Sequence, residues 1–256
     1  MVESAPHTHL VQLLRAAHRI LLFTGAGIST SSGIPDFRGP QGVWQTRRPV
    51  YFQDFLQSEE ARIEHWDFKL ESWPACRDAQ PTATHRAIVE LESATKVQMV
   101  VTQNVDGLHT RAGTTPERLI ELHGTNTRVE CLTCGARSDP AAHMQEFQRS
   151  RQPPRCACGG LLKTATISFG QNLVPGDLSR AATAAAACDL VIALGSTLSV
   201  HPAADIPLAA VAHGAPYIII NQGSTEHDGR PGISLRLEGD VQVLFPAAVT
   251  AAIFPP

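Results

Sequence analysis

Four short apolar runs punctuate the chain, at 20–24, 97–102, 190–194 and 217–220. Each closes on a small or polar residue: Gly25, Gln103, Gly195 and Asn221. Runs this short, bounded this way, read as buried strands of a parallel sheet. Between them lie stretches with helical spacing at 6–18, 84–93 and 179–187. Strands alternating with helices predict an α/β chain with a doubly wound, Rossmann-like parallel sheet. In such a sheet ligands bind beyond the carboxyl ends of the strands, so the loops after all four runs fall on one edge. Two regions break the rhythm. Residues 39–80 hold all three tryptophans together with Tyr51 and Phe52, and 125–170 hold a cysteine cluster. Both read as insertions that build a second, smaller domain. The division predicted is 1–38, 81–124 and 171–256 for the large domain, and 39–80 with 125–170 for the small one.

Composition narrows the function. A chain of 256 residues can bury a full core. With 24 acidic against 21 basic residues, the net charge of −3 gives no bulk attraction for nucleic acid. Residues 1–9 lack the basic-then-apolar order of a signal peptide. The least polar stretch, 181–194, is broken by Asp189 and flanked by Arg180, so no membrane span is expected. These features predict a cytoplasmic protein, and nothing in them fixes an oligomeric state.

Of six cysteines, Cys76 and Cys188 stand alone while Cys131, Cys134, Cys156 and Cys158 cluster. Without a secretion signal, a cluster favours metal over disulfides. Cys131-Leu-Thr-Cys134-Gly135 is the knuckle that tetrahedral zinc uses, and Cys156-Ala-Cys158-Gly159-Gly160 is a shortened partner. Four sulfurs leave no open position, so the expected Zn2+ is structural.

The densest chemistry follows the first strand. Gly25-Ala26-Gly27 turns the chain so that backbone N–H groups can approach a phosphate. A dehydrogenase fingerprint would place a third glycine at Thr30 and an acidic residue about 20 residues on; both are missing. Pro35-Asp36-Phe37-Arg38 follows instead, so the loop predicts a dinucleotide site not built for hydride transfer. After the second strand, Gln103, Asn104 and Asp106 offer groups that suit ribose hydroxyls and a nicotinamide amide. A histidine is the natural general base near neutral pH. His123, before Gly124 at the proposed domain junction, and His109 both qualify on residue chemistry, which does not choose between them.

Gly25-Ala26-Gly27-Ile28-Ser29, Gly33 to Arg38, Thr102 to His109, His123-Gly124 and the cysteine knuckles stand in the order seen in sirtuins. Gly195-Ser196-Thr197-Leu198 and Ile220-Asn221 extend the resemblance to roughly residues 10–245. The 39–44 stretch and Glu226-His227-Asp228 look most like the branch containing the nuclear, chromatin-modifying sirtuins. Sirtuins are NAD-dependent protein lysine deacylases. The resemblance therefore implies a Rossmann-like domain, a small zinc domain, and NAD and an acylated-lysine protein or peptide meeting between them. It implies that Gly25, Ala26, Thr30 and Arg38 cradle the phosphates, with Ser29, Asp36 and Trp44 also at the cofactor. Phe37 would cover the nicotinamide end. Gln103 would contact its ribose, and Asn104 and Asp106 would orient it. Gly195, Ser196, Thr197, Asn221, Gly223 and Val241 would line the adenosine side. Ile167, Ser168, Phe169 and Gly170 resemble the strand that pairs with substrate peptide. In the implied reaction the acyl oxygen displaces nicotinamide, and His123 is general base on a ribose hydroxyl. Free lysine and O-acyl-ADP-ribose result.

The chain departs from the pattern in its Cys-x-Cys spacing and in Gly195-Ser196-Thr197, where many sirtuins have Gly-Thr-Ser. Sirtuins that remove succinyl or malonyl groups resemble one another in a Tyr-x-x-Arg pair. The comparable 64–73 stretch has neither residue, which implies a preference for uncharged acyl groups unless Lys69 or Arg62 serves instead. Two other functions use the same features: mono-ADP-ribosyl transfer to protein, and non-catalytic binding of NAD or peptide.

Overall fold

A computed structural model describes residues 5–39 and 42–254. The chain runs α1 (Ala5–Ala16), β1 (Ile20–Thr24), α2 (Phe52–Gln57), α3 (Glu59–Asp78), α4 (Ala83–Ser93), β2 (Val97–Thr102), α5 (Leu108–Ala112) and β3 (Leu119–Glu121). It continues through β4 (Gly124–Cys131), β5 (Arg137–Ser138), α6 (Pro140–Ser150), β6 (Leu162–Thr166), α7 (Pro175–Ala187) and β7 (Leu190–Leu194). The last elements are α8 (Asp205–Ala212), β8 (Tyr217–Asn221), β9 (Ile233–Glu238) and α9 (Val241–Ile253).

Six strands form one parallel sheet in the order β3-β2-β1-β7-β8-β9. Strand order reverses between β1 and β7, which opens a crevice beyond their carboxyl ends. Every residue of β1, β7 and β8 is buried, because helices cover both faces of the sheet. Leu10, Leu14, Ile88, Leu91, Phe245 and Val249 pack on one face. Ala181, Ala185, Leu198, Ile206 and Ala210 pack on the other.

The foreseen strands at 20–24, 97–102 and 190–194 coincide with β1, β2 and β7, and β8 runs one residue past 217–220. The helix read at 6–18 ends at Ala16, and the one read at 179–187 begins at Pro175. Pro175 suits the first turn of α7, where an N–H has no acceptor to lose.

The smaller module is an antiparallel sheet, β5-β4-β6, with α2, α3 and α6 beside it. Trp66 of α3 is its centre, packed with Val129, Cys131, Met144, Phe147 and Leu162. Its ring lies 6.1 Å from that of Phe147. Both irregular regions of the sequence therefore meet in one core. Residues 167–170 are a correction: β6 stops at Thr166, and these four residues form no strand. The Gln171 N–H closes a turn onto the Ser168 carbonyl instead.

Candidate functional site

Beyond β1 and β7 two loops press together. The Gly27 N–H donates to Gly195 O at 2.8 Å, and the Gly25 N–H to Leu194 O at 3.0 Å. A Cβ on Gly25 would stand 2.7 Å from Gly195 O, and one on Gly27 2.8 Å from Gly195 Cα. Gly195 has a φ of +59°, and its own Cβ would meet Ile28 N at 2.6 Å. These glycines are thus required by contact between the two loops. With Gly25 and Gly27 so engaged, the N–H groups of Ala26 and Thr30 are left without an acceptor among the described residues. Two such donors, after a strand at the switch point, suit an anionic ligand.

The loop after β2 supplies the opposite wall. Ser29 Oγ donates to Asp106 Oδ2 at 2.7 Å, and the Leu108 N–H to Asp106 Oδ1 at 2.9 Å. Burial pushes the Asp106 carboxyl up, and these two bonds pull it back. The Asn104 amide donates to Gly25 O at 3.1 Å and to Ser29 Oγ at 3.2 Å. Its Oδ1 is thereby turned outward as an acceptor. Gln103 Nε2 donates to Ser196 Oγ at 2.9 Å, tying this loop to the one after β7.

His123 lies in the turn between β3 and β4. Its Nδ1 is 3.1 Å from the Gln103 carbonyl, which can only accept. Nδ1 therefore carries the proton, and Nε2 keeps a free lone pair. Burial holds the imidazole below its ordinary value; the Gln103 bond opposes this and the Arg38 charge adds to it. His109 is placed differently. It is 2 % exposed, with Nε2 3.0 Å from Thr24 Oγ1 and its ring 4.8 Å from that of His85. Burial, then His85, drives its protonation far down. It sits beneath the loop, away from the cleft.

An aromatic cluster stands beside His123. Phe37 stacks on Trp44 at 5.5 Å, and Trp44 meets Phe169 at 5.9 Å and Phe68 at 6.0 Å. The Arg38 guanidinium stands 6.0 Å from the Phe169 ring and makes no hydrogen bond among the described residues. Asp36 is turned to its own loop, accepting the Gly39 N–H at 2.7 Å. Pro40 and Gln41 lie outside the described residues. The Ile167 N–H donates to His123 O at 2.8 Å, fixing residues 167–170 next to the histidine.

On the far side, Asn221 ends β8 and Gly223 follows with a φ of +86°. Thr197 Oγ1 is 2.9 Å from Ser199 Oγ, and its carbonyl accepts the Glu226 N–H. Val241, at the start of α9, is 4 % exposed and packs into the core. The neighbouring Gln242 side chain donates to Ile28 O at 2.8 Å. Reading the sequence alone missed Arg236 and Glu238, which with Asp228 fasten the loop after Asn221. Their only signal was an alternating run at 233–238.

The four clustered cysteines converge. Their sulfurs lie within 4.8 Å of one another. Cys131 and Cys158 are 3.5 Å apart, and Cys134 and Cys156 3.8 Å. Four sulfurs on a tetrahedron about 2.3 Å from zinc would stand close to this spacing. The N–H groups of Cys134 and Thr133 lower the Cys131 thiol to about 6. Cys158, although the Gly160 N–H draws it down, is pushed to about 12 by the other sulfurs. Such a set ionises fully only around a cation. The short Cys-x-Cys is accommodated by a turn in which the Gly159 N–H reaches Cys156 O at 2.8 Å.

A doubly wound sheet with a phosphate-type loop at its switch point, a neutral histidine in the crevice and an adjoining four-cysteine module defines a dinucleotide-dependent enzyme with a metal-stabilised domain. Residues 25–202 match the Sir2 family. The chain belongs to that family. It is 42% identical to NAD-dependent protein deacetylase 1 of Bradyrhizobium diazoefficiens over 227 residues, 89% of each chain. It is also 42% identical to the NAD-dependent protein deacetylase of Rhodopseudomonas palustris over 220 residues, 86% of this chain and 87% of that one. A solved Sir2 complex with a p53 peptide and NAD+ superposes with a TM-score of 0.83 at 33% identity, covering 94% of this chain and 96% of that one. Among the described residues, no helix is long and apolar enough to cross a membrane.

Proposed function

We propose that the protein is an NAD-dependent protein lysine deacetylase, with Zn2+ held by Cys131, Cys134, Cys156 and Cys158. One observation carries the reading. His123 is held neutral with Nδ1–H on the Gln103 carbonyl and Nε2 free, in a crevice whose other walls suit a dinucleotide. In this reading, NAD supplies the ribosyl carbon that accepts the acyl oxygen as nicotinamide leaves. The chain's residues bind, orient and move protons around it. The N–H groups of Ala26 and Thr30, with Arg38, hold the phosphates. Asn104 and the Ser29–Asp106 pair orient the nicotinamide end, and Phe37 and Trp44 screen it from water. Gly195, Ser196, Thr197, Asn221 and Gly223 line the adenosine end. His123 Nε2 takes the proton of a ribose hydroxyl.

The peptide would lie against residues 167–170. There Ile167 O and the Gly170 N–H make no bond among the described residues and can serve an extended chain. The division into units 1–38, 81–124 and 171–256, and 39–80 with 125–170, places His123 at their junction.

The test is nicotinamide release with and without an acetyl-lysine peptide, followed by mass spectrometry of the peptide. Deacetylation that requires both NAD and peptide is expected. Nicotinamide release with ADP-ribose attached to protein would support transferase activity instead. NAD binding without release would reduce the protein to a binding module.

A further inference from the structure

Arg236 of β9 lies outside every motif above, yet its side chain is fully engaged. A guanidinium has five N–H donors in a fixed fork. Here all five are taken. Nε donates to Asp228 Oδ1 at 2.9 Å. Nη1 donates to Asn221 O at 3.1 Å and to Leu237 O. Nη2 donates to Gly223 O at 2.7 Å and to Glu238 Oε2 at 2.8 Å.

Two of these acceptors are backbone carbonyls of the loop that leaves β8 into the crevice. The other partners hold the same loop. Glu238 Oε1 accepts the Gly223 N–H at 2.7 Å. Asp228 accepts the Thr225 N–H at 2.9 Å and its hydroxyl at 2.8 Å. The Asn221 side chain gives its amide protons to Gln222 O at 3.1 Å and Gly223 O at 3.0 Å. Its Oδ1 is thereby left as a pure acceptor. A carbonyl oxygen in that position suits a ribose hydroxyl and rejects a phosphate.

We propose that Arg236, braced by Asp228 and Glu238, is a positioning residue that sets Asn221 Oδ1 to receive a hydroxyl of the adenosine ribose. This rests on the dinucleotide reading of the crevice. Arg236 touches neither the nicotinamide-side residues nor His123, so its effect is confined to cofactor affinity. An unbraced loop must be ordered at each binding event, and one or two ligand hydrogen bonds weaken.

The experiment compares wild type, Arg236→Met, Arg236→Lys and Glu238→Ala, with ADP-ribose binding by calorimetry beside steady-state kinetics. Arg236→Met is expected to raise Kd for ADP-ribose and KM for NAD by about tenfold, with kcat and peptide KM within about threefold. A lysine offers donors without the fork, so Arg236→Lys should recover part of the loss. Glu238→Ala, which leaves Arg236 in place, should shift the same two constants by a few-fold and covers the case in which Arg236→Met does not fold. The proposal is overturned if the folded variants bind ADP-ribose like wild type, or if kcat falls as much as affinity. Wild type that fails to bind ADP-ribose would instead overturn the dinucleotide reading itself.

Discussion

Replacing Lys163 with methionine should make this protein more stable, and by an amount that depends on pH. Lys163 lies on β6 and is 1 % exposed. Its ammonium donates to the carbonyls of Thr164 and Thr166, and no carboxylate hydrogen-bonds to it among the described residues. Burial first, then repulsion from Lys69, lowers its pKa from 10.5 to about 7, with Glu130 opposing. Holding the charge in the folded state at pH 6 therefore costs on the order of 5 kcal/mol relative to the unfolded chain. The two carbonyl bonds return roughly 1–2 kcal/mol each. Methionine has similar length and no charge to desolvate. The net expectation is a gain of about 1–3 kcal/mol at pH 6. Between pH 7 and about 10 the unfolded wild-type chain binds the proton and the folded one does not. Wild-type stability then rises by about 1.4 kcal/mol per pH unit from this group, and the variant has no such slope. Its advantage should be full below pH 7, vanish between about pH 8 and 9, and reverse above that. Urea unfolding of both proteins at pH 6, 8 and 9.5 measures this. A variant less stable than wild type at pH 6, or a difference that stays flat with pH, would refute the reasoning.

Other outcomes follow from the site. His123→Ala should keep the fold and lose on the order of 10²–10⁴-fold in kcat; near-normal turnover there, with His109→Ala inactive yet folded, would reverse the two roles. Because burial lowers the His123 pKa, the acid limb of kcat/KM for wild type should be centred below the ordinary imidazole value of about 6.5, and a limb centred above it would contradict the environment described. Cys134→Ser should abolish one equivalent of bound zinc and unfold the small module, seen as lost metal by elemental analysis and increased proteolysis within 125–166. On a single peptide, acetyl or a longer aliphatic acyl group should be removed with higher kcat/KM than succinyl. The structure already commits Lys69 Nζ to Asn126 Oδ1 at 2.8 Å and Arg62 to the carbonyls of Phe55 and Leu56; fastest turnover of succinyl would show that one of these cations is free to bind carboxylate.

The central strands were legible because β1, β7 and β8 are buried on both faces, so each is a continuous apolar run. The edge strands were not. β3 is three residues long, and β9 reads Ile-Ser-Leu-Arg-Leu-Glu with most positions partly exposed. The bounds of α3, within an insertion read as helical, were not legible because Pro74 sits inside it and its apolar positions serve two partners, the zinc module and the aromatic cluster. The site followed the same rule. Asn104 and Asp106 announced themselves by residue type after a predicted strand, and His123 by its place before Gly124 at the proposed domain junction. The Ser29–Asp106 bond joins positions 77 apart, and no local pattern encodes such a meeting. Residue chemistry did not choose between His123 and His109; the resemblance chose His123, and the physical reason, a His109 ring buried against Thr24 and His85, is visible only in the fold.

Because the buried apolar partners of Trp66 all come from residue 129 onward, the small module has an order of assembly during synthesis. A ribosome adding about 5–20 residues per second needs several seconds to pass from the end of α3 to Leu162. Through that interval the helix holds its tryptophan without the full set of those partners, and the four thiols are made only as residues 131 to 158 are added. Zinc can close its shell only once Cys158 emerges, after the first three large-sheet strands are already in hand. A nascent chain stalled between 78 and 158 would therefore present the α3 face to chaperones, while one released past that point should bury it and capture its metal together.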